Sequence, residues 1–488
     1  MKKKFLISFL ALCLCFVSLF GLTGCKQPLS MPNNLDVTGN GGAVVRVGDY
    51  IYFVNGYKNV SNLVSGDNRK NITQGAIYRV KASVNNNVLE YDDNGNMKGA
   101  EKIADNIAGF SSLNLFVFDD YIYFATPLAL KDKQGNTQFN RTVIKRIKLN
   151  GEDSKELYTS NSSTPITWSV YKIENDVVIG VLDDTNLVSV NVSANKTNVV
   201  AQNVSSAVFP KVETYNALTK TTGATKGENQ VYYTRTDDSI NGNAIFVANL
   251  KTLQGNDNAV LGDADNNEYK VVSYKTKGQE GKIYYTKAEE GATCYFGTTV
   301  NSNGAVLTAS NQTVQYTTLT YSDIDFTFSP YDKAIGLFTN TDGSKELQYA
   351  YEDTTVKISD TELTILAIKD NYIYGFNTEN QLVKIGLDAE HKKTIIATFA
   401  NKKDDSGNDI EDGKEAFYSE LNTDKTNKSL FVDFDGDYMY FFRTFKNNDG
   451  TESIYLARVD YTISSETNPA EIQLVGQMEE NHKYTISE

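Results

Sequence analysis

The sequence is poor in the residues that most often carry chemistry. It contains only two histidines, His391 and His482, which lie far apart along the 488-residue chain. Two histidines exclude a histidine-rich metal site, and their separation argues against a histidine-dependent catalytic triad. Neither a Gly-x-Ser-x-Gly motif nor a phosphate-binding glycine loop is present, although such motifs mark many hydrolases and nucleotide-binding proteins. The sequence therefore predicts no catalytic residues and no cofactor.

Helical patterns are missing as well. No long stretch repeats apolar residues with the period of 3.6 that is typical of helices. Prolines number seven and tryptophan is single, at Trp168, whereas there are 30 tyrosines and 24 phenylalanines. Short apolar runs alternate with clusters of Asn, Asp, Gly and Ser. This pattern predicts an all-β fold.

Positive charge is scarce. There are 47 basic and 61 acidic residues, which gives a formal charge of −14. Three of the positive charges are Lys2, Lys3 and Lys4, so the chain without its first 24 residues carries −17. Such a surface repels phosphate backbones, and we expect no nucleic acid partner. It also repels anionic lipid, so association with a membrane must rest on an anchor.

The first residues have the pattern of an export signal. The three lysines precede an apolar segment from Phe5 to Phe20, which is shorter than the ~20 residues of a spanning helix. "LTGC" at 22–25 follows and resembles the lipobox of bacterial lipoproteins. The resemblance implies cleavage before Cys25, a diacylglycerol thioether on its sulfur, and further acylation of its amine. Two or more acyl chains anchor a protein stably. The alternative is an ordinary signal peptide with a chance cysteine.

We therefore assign residues 1–24 to a lipoprotein signal peptide and residues 25–42 to a lipidated tether. The expected location is the extracytoplasmic face of a bacterial cell membrane. Cys13 and Cys15 are removed with the signal peptide. If Cys25 is lipidated, Cys294 is then left with no second cysteine for a disulfide. We expect no disulfide, so stability must come from burial.

One short motif recurs along the chain. "GDYIYF" (48–53) is followed by "DDYIYF" (119–124), "DNYIYG" (370–375) and "GDYMYF" (436–441). Weaker copies complete a set of eight, whose first motif positions are Tyr50, Tyr121, Val177, Gln230, Lys282, Ala334, Tyr372 and Tyr438. The spacings centre near 50 residues, which favours a propeller or a similar array of repeats.

The motif also indicates how the repeats pack. Side chains alternate between the two faces of a strand, and in "YIYF" both faces are apolar or aromatic. Both faces must therefore be covered, as they are in the middle strands of a propeller blade. We predict a single β-propeller of four-stranded antiparallel blades over residues 43–478, with a tail at 479–488. Eight blades are expected, and seven is the alternative if the 38-residue spacing marks a degenerate repeat.

A resemblance supports this fold. "IYRVKAS" (77–83), "VIKRIKLNGED" (143–153) and "QLVKIGLDAEHKK" (381–393) follow the aromatic strands. These segments resemble the tyrosine-rich propellers of bacterial secreted proteins, distant relatives of the YWTD propeller of the low-density-lipoprotein receptor. The resemblance implies the propeller fold and names no ligand.

Two segments have the composition of chemical sites. In "DDSGNDIEDGKE" (404–415), oxygen-bearing side chains have the spacing of calcium ligands, although the glycine of an EF-hand loop is missing. These residues are Asp404, Ser406, Asn408, Asp412 and Glu415. A solvated insertion is the other interpretation, and we assign no metal site. "SANK" (193–196) matches Ser-x-x-Lys but falls in a predicted turn.

Two functions fit these observations. The first is a membrane-anchored binding or assembly scaffold for a protein or a glycan, with the chain as a monomer. The alternative is an extracytoplasmic glycan hydrolase or lyase, which would need a pair of carboxylates. We expect the scaffold because no catalytic signature is present.

Overall fold

The structure is a computed structural model with a defined set of described residues. These are 29–56, 74–82, 90, 97–105, 113–131, 137–209, 214–216, 221–222, 230–237, 242–250, 254–255, 259–262, 268–277, 280–289, 292–300, 313–316, 321–326, 334–339, 344–351, 354–359, 363–379, 381–388, 390–398, 401–403, 409–414, 432–446, 452–463, 470 and 472–476. Within these ranges the chain is all-β and contains no helix, so no described helix is long and apolar enough to cross a membrane.

Strands are numbered β1 to β37 in chain order. The first sheet has seven strands in the order β16-β15-β1-β2-β3-β4-β5. Its strands are β1 (Val37–Thr38), β2 (Val44–Val47), β3 (Tyr50–Val54), β4 (Ile77–Lys81), β5 (Glu101–Ala104), β15 (Thr214–Asn216) and β16 (Thr221–Thr222).

The second, third and fourth sheets have four strands each. The second contains β6 (Phe116–Phe118), β7 (Tyr121–Lys131), β8 (Thr137–Lys148) and β9 (Lys155–Thr159); the third contains β10 (Thr167–Ile173), β11 (Asp176–Asp183), β12 (Asn186–Asn191) and β13 (Lys196–Ala201); the fourth contains β14 (Val204–Val208), β17 (Gln230–Asp237), β18 (Gly242–Asn249) and β19 (Gln254–Gly255).

The fifth to eighth sheets repeat this four-stranded plan. They contain β20 (Tyr269–Lys277), β21 (Glu280–Glu289), β22 (Ala292–Val300) and β23 (Thr313–Tyr316); β24 (Tyr321–Phe326), β25 (Ala334–Thr339), β26 (Lys345–Tyr351) and β27 (Thr354–Ser359); β28 (Leu363–Lys369), β29 (Tyr372–Asn377), β30 (Gln381–Gly386) and β31 (Lys393–Thr398); and β34 (Val432–Asp435), β35 (Tyr438–Lys446), β36 (Glu452–Asp460) and β37 (Gln473–Val475). A separate hairpin joins β32 (Asn401–Lys403) to β33 (Asp409–Lys414).

The eight motif copies all form equivalent strands. They lie in β3, β7, β11, β17, β21, β25, β29 and β35. In seven sheets this is the second of four strands, and β3 is the second strand of the set β2 to β5 in the first sheet. The prediction of four-stranded antiparallel repeats is confirmed in these seven sheets, whereas the first sheet has three further strands. A period-2 pattern with aromatic residues on both faces thus located the strands correctly.

The register of the third copy differs from the prediction. In the first sheet Val47 pairs with Tyr50 across a two-residue turn, and in the third sheet Ile173 pairs with Asp176 in the same way. The residue equivalent to Tyr50 is therefore Asp176 rather than Val177. The turn sets the register, whereas an alignment on apolar letters shifts the match by one residue.

In the two-residue turns between the first and second strands, the first turn residue has a left-handed backbone conformation. The first turn residues in the first, second, third, seventh and eighth sheets all have positive φ; they are Gly48, Asp119, Glu174, Asp370 and Gly436. Glycine, asparagine and aspartate adopt this region most readily, which accounts for the Gly or Asp two residues before the first tyrosine in four of these turns. Glu174 adopts it without such a signal.

Burial of the motif is almost complete at its second tyrosine. Tyr52, Tyr123, Tyr374 and Tyr440 are all buried with 2% exposure or less. The first tyrosine is less uniform, since Tyr372 is 37% exposed and Tyr121 and Tyr438 are half-buried. The expectation that every motif residue is covered was wrong at this position, because it lies next to the turn at the sheet edge.

Successive sheets pack against each other through apolar clusters. The largest cluster contains residues of the first, second, third, fourth and eighth sheets. Smaller clusters join the fourth to the fifth sheet, the sixth to the seventh and the seventh to the eighth. Strands β23 and β26 bring the fifth and sixth sheets into contact. Each sheet therefore contacts the next one along the chain.

Polar contacts join the first sheet to the eighth. Arg46 donates from Nε and Nη2 to the two carboxylate oxygens of Asp435, each at 2.7 Å. The Asp433 carboxylate accepts from the backbone N–H groups of Ala43 and Val44, at 2.7 and 3.1 Å. We call these contacts the junction. They place strands that are 389 residues apart in sequence side by side.

The N-terminal segment differs from a free tether. Strand β1 pairs with β2 on one side and with β15 on the other. Strand β15 belongs to the segment between β14 and β17 of the fourth sheet. The described residues 29–42 are thus joined to the first sheet, although their polar composition and prolines suggested a tether.

Candidate functional site

The best-defined polar site lies where the N-terminal segment meets the first sheet. We call it the anchor dock; it comprises Leu29 to Asp36 together with the turn Gly48–Asp49, Tyr50 and Arg79. The dock is at the sheet edge that carries the turn between the first and second strands. Leu29 packs against the large apolar cluster, so the segment is held from its first described residue.

Ser30 is fixed by two side chains of the sheet. Its carbonyl oxygen accepts a 2.6 Å hydrogen bond from Arg79 Nη1. Its hydroxyl lies 3.0 Å from the hydroxyl of Tyr50. A hydrogen bond from an ionised donor such as a guanidinium is shorter and stronger than one between two neutral groups. Ser30 is therefore held at a defined place over the second and third strands.

The following residues bind the turn itself. The N–H of Asn33 donates to Asp49 Oδ1 at 3.0 Å, and the N–H of Gly48 donates to the Asp36 carbonyl at 2.9 Å. Gly48 has a φ of +55°, and a Cβ there would lie 2.7 Å from the Asn34 carbonyl oxygen. A larger residue would have to displace backbone, so glycine allows the segment to approach this closely.

Arg79 is the buried centre of the dock. Its side chain is fully buried, and Nε forms an ion pair with Glu101 at 2.8 Å. Nη1 also reaches the Tyr52 hydroxyl and the Leu149 carbonyl, each at 3.2 Å. Leu149 belongs to the second sheet's loop, so Arg79 joins two sheets and the N-terminal segment. A buried charge of this kind is tolerated because Nε and Nη1 are hydrogen-bonded and Nε is paired with a carboxylate.

Electrostatics in the dock follow from these contacts. Burial raises the pKa of Tyr52 to about 12. The N–H of Asn33 lowers the pKa of the Asp49 carboxyl, since that hydrogen bond favours the ionised form. Burial alone would lower the pKa of Arg79, but its bonds to Tyr52 and Glu101 outweigh burial and leave the pKa raised. Arg79 is thus a permanent cation in the dock.

Other sheets repeat the stack of a cation on the first tyrosine. Arg79 lies 4.1 Å from the ring centre of Tyr50, Arg146 lies 4.2 Å from Tyr121, and Arg458 lies 3.9 Å from Tyr438. In the seventh sheet Lys384 lies 5.5 Å from Tyr372. In each case the cation comes from the third strand and pairs in register with the second tyrosine.

The third sheet replaces this pair by a hydrogen bond. Asp176 occupies the first tyrosine's place, and Asn191 Nδ2 donates to its carboxylate at 3.3 Å. Sequence reasoning missed the basic partners altogether. Their signal is a single Arg or Lys inside an apolar third strand, as in "IYRVK" (77–81) and "QLVKIG" (381–386).

The sequence-predicted site residues are not brought together. Cys25, His482, Asp404, Ser406, Asn408 and Glu415 lie outside the described residues, and Asp412 falls in strand β33. His391 lies in a turn, with Nδ1 3.1 Å from the Gly386 carbonyl oxygen. Ser193 lies in a turn, as predicted, whereas Lys196 is the first residue of β13. Cys294 is buried in the fifth sheet.

Buried carboxylates in the described chain serve local structure. Asp183 accepts from the Tyr158 hydroxyl at 2.6 Å and from the N–H of Asn161 at 2.7 Å. Asp433 and Asp435 hold the junction. Among the described residues no group of three or more His, Cys, Asp or Glu could hold a metal ion. These carboxylates therefore hold segments of the described chain in place.

No protein-family model matches the chain, and no curated protein matches it. Among solved structures, one reported in a study of two prolyl endopeptidases is similar with a TM-score of 0.38 and 10% identity. That similarity covers 74% of this chain and 48% of the other, so the chain spans about half of that protein's length.

Two other solved structures are similar at comparable levels. One comes from a nidogen/laminin complex, with a TM-score of 0.26, 10% identity, and coverage of 66% of this chain and 89% of the other. The other is an oligogalacturonate lyase in complex with manganese, with a TM-score of 0.33, 12% identity, and coverage of 90% and 98%. All three TM-scores are below 0.5, so these likenesses carry no argument about this chain.

Proposed function

We propose that the chain is a lipid-anchored extracytoplasmic scaffold that binds or assembles a protein or glycan partner. The lipobox places the anchor at Cys25, on the outer face of a bacterial cell membrane. The observation that carries the proposal is the anchor dock, in which Arg79 holds the Ser30 carbonyl only five residues after Cys25. The dock ties the expected attachment point to the first sheet.

The same proposal treats the eight sheets as the blades of one β-propeller. Each motif strand is second in its set of four, each sheet contacts the next, and the junction brings the eighth sheet against the first. A ring of this kind is rigid because every sheet is covered on both faces. Rigid frames commonly present binding residues on their loops.

A hydrolase or lyase would need two carboxylates at a substrate site. The buried carboxylates described above already accept hydrogen bonds within joints and turns. The strongly negative charge also argues against nucleic acid as the partner. A protein or an uncharged glycan fits the surface better, with the scaffold itself as a monomer.

Fractionation of cells that express Cys25→Ser tests the anchor. The variant should be exported and soluble, because the two or three acyl chains are lost while the dock remains. Cys294→Ser is the matched control and should stay in the membrane fraction, since Cys294 is buried in the fifth sheet and lies outside the lipobox. Retention of Cys25→Ser in salt-washed membranes would refute the lipoprotein proposal.

Partner binding can be tested by crosslinking pull-down from the native envelope. Deleting residues 403–415 removes strand β33, which pairs only with β32 among the described strands. The eight sheets lose no strand, so the deletion variant should fold and should capture less partner if this insertion contributes to binding. An unfolded variant would contradict the assignment of 403–415 to an insertion outside the ring.

A further inference from the structure

The anchor dock lies on one particular edge of the molecule. In the first, second, third, seventh and eighth sheets, this edge carries the turns from the first to the second strand; we call it the turn rim. Contacts show that these turns are neighbours. Lys172 of the third sheet bonds Asp119 in the second sheet's turn at 2.6 Å, and Tyr461 of the eighth sheet binds Lys369 beside the seventh sheet's turn at 3.1 Å.

The distance from the lipid site to this rim is limited by chain length. Cys25 and Ser30 are five residues apart, and five fully extended residues span at most about 18 Å. Strand β11, which runs from the turn rim to the opposite edge, has eight residues and a length of about 26 Å. The reach of the chain is therefore shorter than the thickness of the sheets.

The rim also carries exposed side chains suited to a lipid headgroup layer. Met31 is 40% exposed and directly follows Ser30, and Tyr372 is 37% exposed beside the seventh sheet's turn. Tyrosine favours the interface because its ring is apolar and its hydroxyl is polar. The neighbouring turn residues Asp49, Asp120 and Asp437 are acidic, so the rim suits a neutral surface better than an anionic one.

From the dock, the short reach and these exposed side chains we infer that the turn rim faces the membrane, and that the opposite rim points away from it. This inference rests on the proposed lipid anchor at Cys25. It assigns the turn rim to a lipid surface and leaves the opposite rim for the protein or glycan partner.

Distance measurements by energy transfer test the orientation. The lipidated protein, with Cys294→Ser to remove its buried thiol, is reconstituted in phosphatidylcholine vesicles that contain an acceptor-labelled lipid. A donor is attached to Asn175→Cys or Thr185→Cys, which are exposed positions at the two ends of β11. A second pair uses Asp437→Cys in the eighth sheet, on the turn rim, and Glu379→Cys in the seventh sheet, on the opposite rim.

The expected result is a donor-to-membrane distance that is shorter for Asn175→Cys than for Thr185→Cys by about 25 Å, the length of the strand. Asp437→Cys should likewise be closer than Glu379→Cys. A variant with a 20-residue Gly-Ser insertion between Gln27 and Pro28 is the control. Its tether gains about 25 Å of flexible reach, so the difference within each pair should be lost.

The outcomes separate the two proposals. Equal distances within both pairs of the bound protein, or a reversed order, would overturn the orientation while the lipid anchor stands. A protein that carries Cys25 but does not stay with the vesicles would refute the anchor itself, and the orientation with it.

Discussion

The junction between the first and eighth sheets can be tested by removing one charge at a time. Arg46 is 27% exposed, whereas Asp435 is 8% exposed, so the two partners differ in access to water. Arg46→Met leaves a buried carboxylate without its two hydrogen bonds. Loss of one partner of a buried pair costs about 3–5 kcal/mol, and we expect the lower end because the arginine is partly solvated.

Removing the charge of Asp435 instead should lower the free energy of unfolding by less. Asp435→Asn leaves a guanidinium that can reach water, and the new amide oxygen still accepts one hydrogen bond, so we expect a loss of about 1–2 kcal/mol. The double variant should be more stable than Arg46→Met alone. The resulting coupling energy should fall within the range of about 0.5–3 kcal/mol that contacting residues show.

Urea titration of the soluble Cys25→Ser protein gives these free energies, provided that all variants unfold with the same denaturant dependence. Lys145→Met is the matched control, since Lys145 and Glu156 form an ion pair within the second sheet with 24% and 58% exposure. Such exposed pairs contribute about 0–1 kcal/mol. If Arg46→Met costs no more than Lys145→Met, the first and eighth sheets are not held together as described.

Three further predictions concern single side chains. Tyr123→Ala should lower the free energy of unfolding by about 3–5 kcal/mol because its ring is 1% exposed, whereas Tyr123→Phe keeps the ring and should cost about 1 kcal/mol in the same urea titration. Burial raises the pKa of Tyr52 and Tyr123 to about 12, so these groups stabilise the fold fully below pH ~10 and should cease to do so as pH rises through about 12; absorbance and circular dichroism during an alkaline titration follow both events. The lowered pKa of Asp49 acts in the opposite direction: its bond to Asn33 is present above the carboxyl's ordinary pKa and is lost in acid, so the protection factor of the Asn33 amide, which is its intrinsic exchange rate at each pH divided by the observed rate, should fall with pH before the sheets unfold.

Local sequence signals predicted the eight motif strands. Each motif copy combines an apolar pattern of period 2 with a turn residue before it. Both are properties of a few neighbouring residues, so they can be read without knowing the rest of the chain. The error at Val177 shows the limit of that reading. Glu174 adopts a left-handed turn conformation, which glutamate does not favour, so the sequence gives no sign of the turn. The position of the turn determines which residues face each side of the sheet.

The contacts that hold sheets together could not be predicted in this way. Arg46 and Asp435 are 389 positions apart, and each is an ordinary charged residue in its own segment. The partners of Arg79 come from the N-terminal segment, from β3 and β5, and from the loop after β8. Only the packed structure reveals that one buried cation serves three segments. The N-terminal segment itself lacks periodicity because β1 is two residues long.

The N-terminal segment contributes to the stability of the first sheet through the dock. Without a disulfide among its described cysteines, the fold depends on burial and on a few charged contacts that cross between sheets. Arg79 is one of them, and part of its hydrogen bonding is supplied by Ser30, a residue that a simple tether would not need. Loss of that carbonyl would remove the shortest of the three hydrogen bonds that Arg79 Nη1 donates, and a hydrogen bond from a charged group contributes about 1.5–3 kcal/mol. The N-terminal segment thus stabilises the first sheet, and under the proposed lipid anchor at Cys25 the first sheet in turn fixes the orientation of the molecule at the membrane.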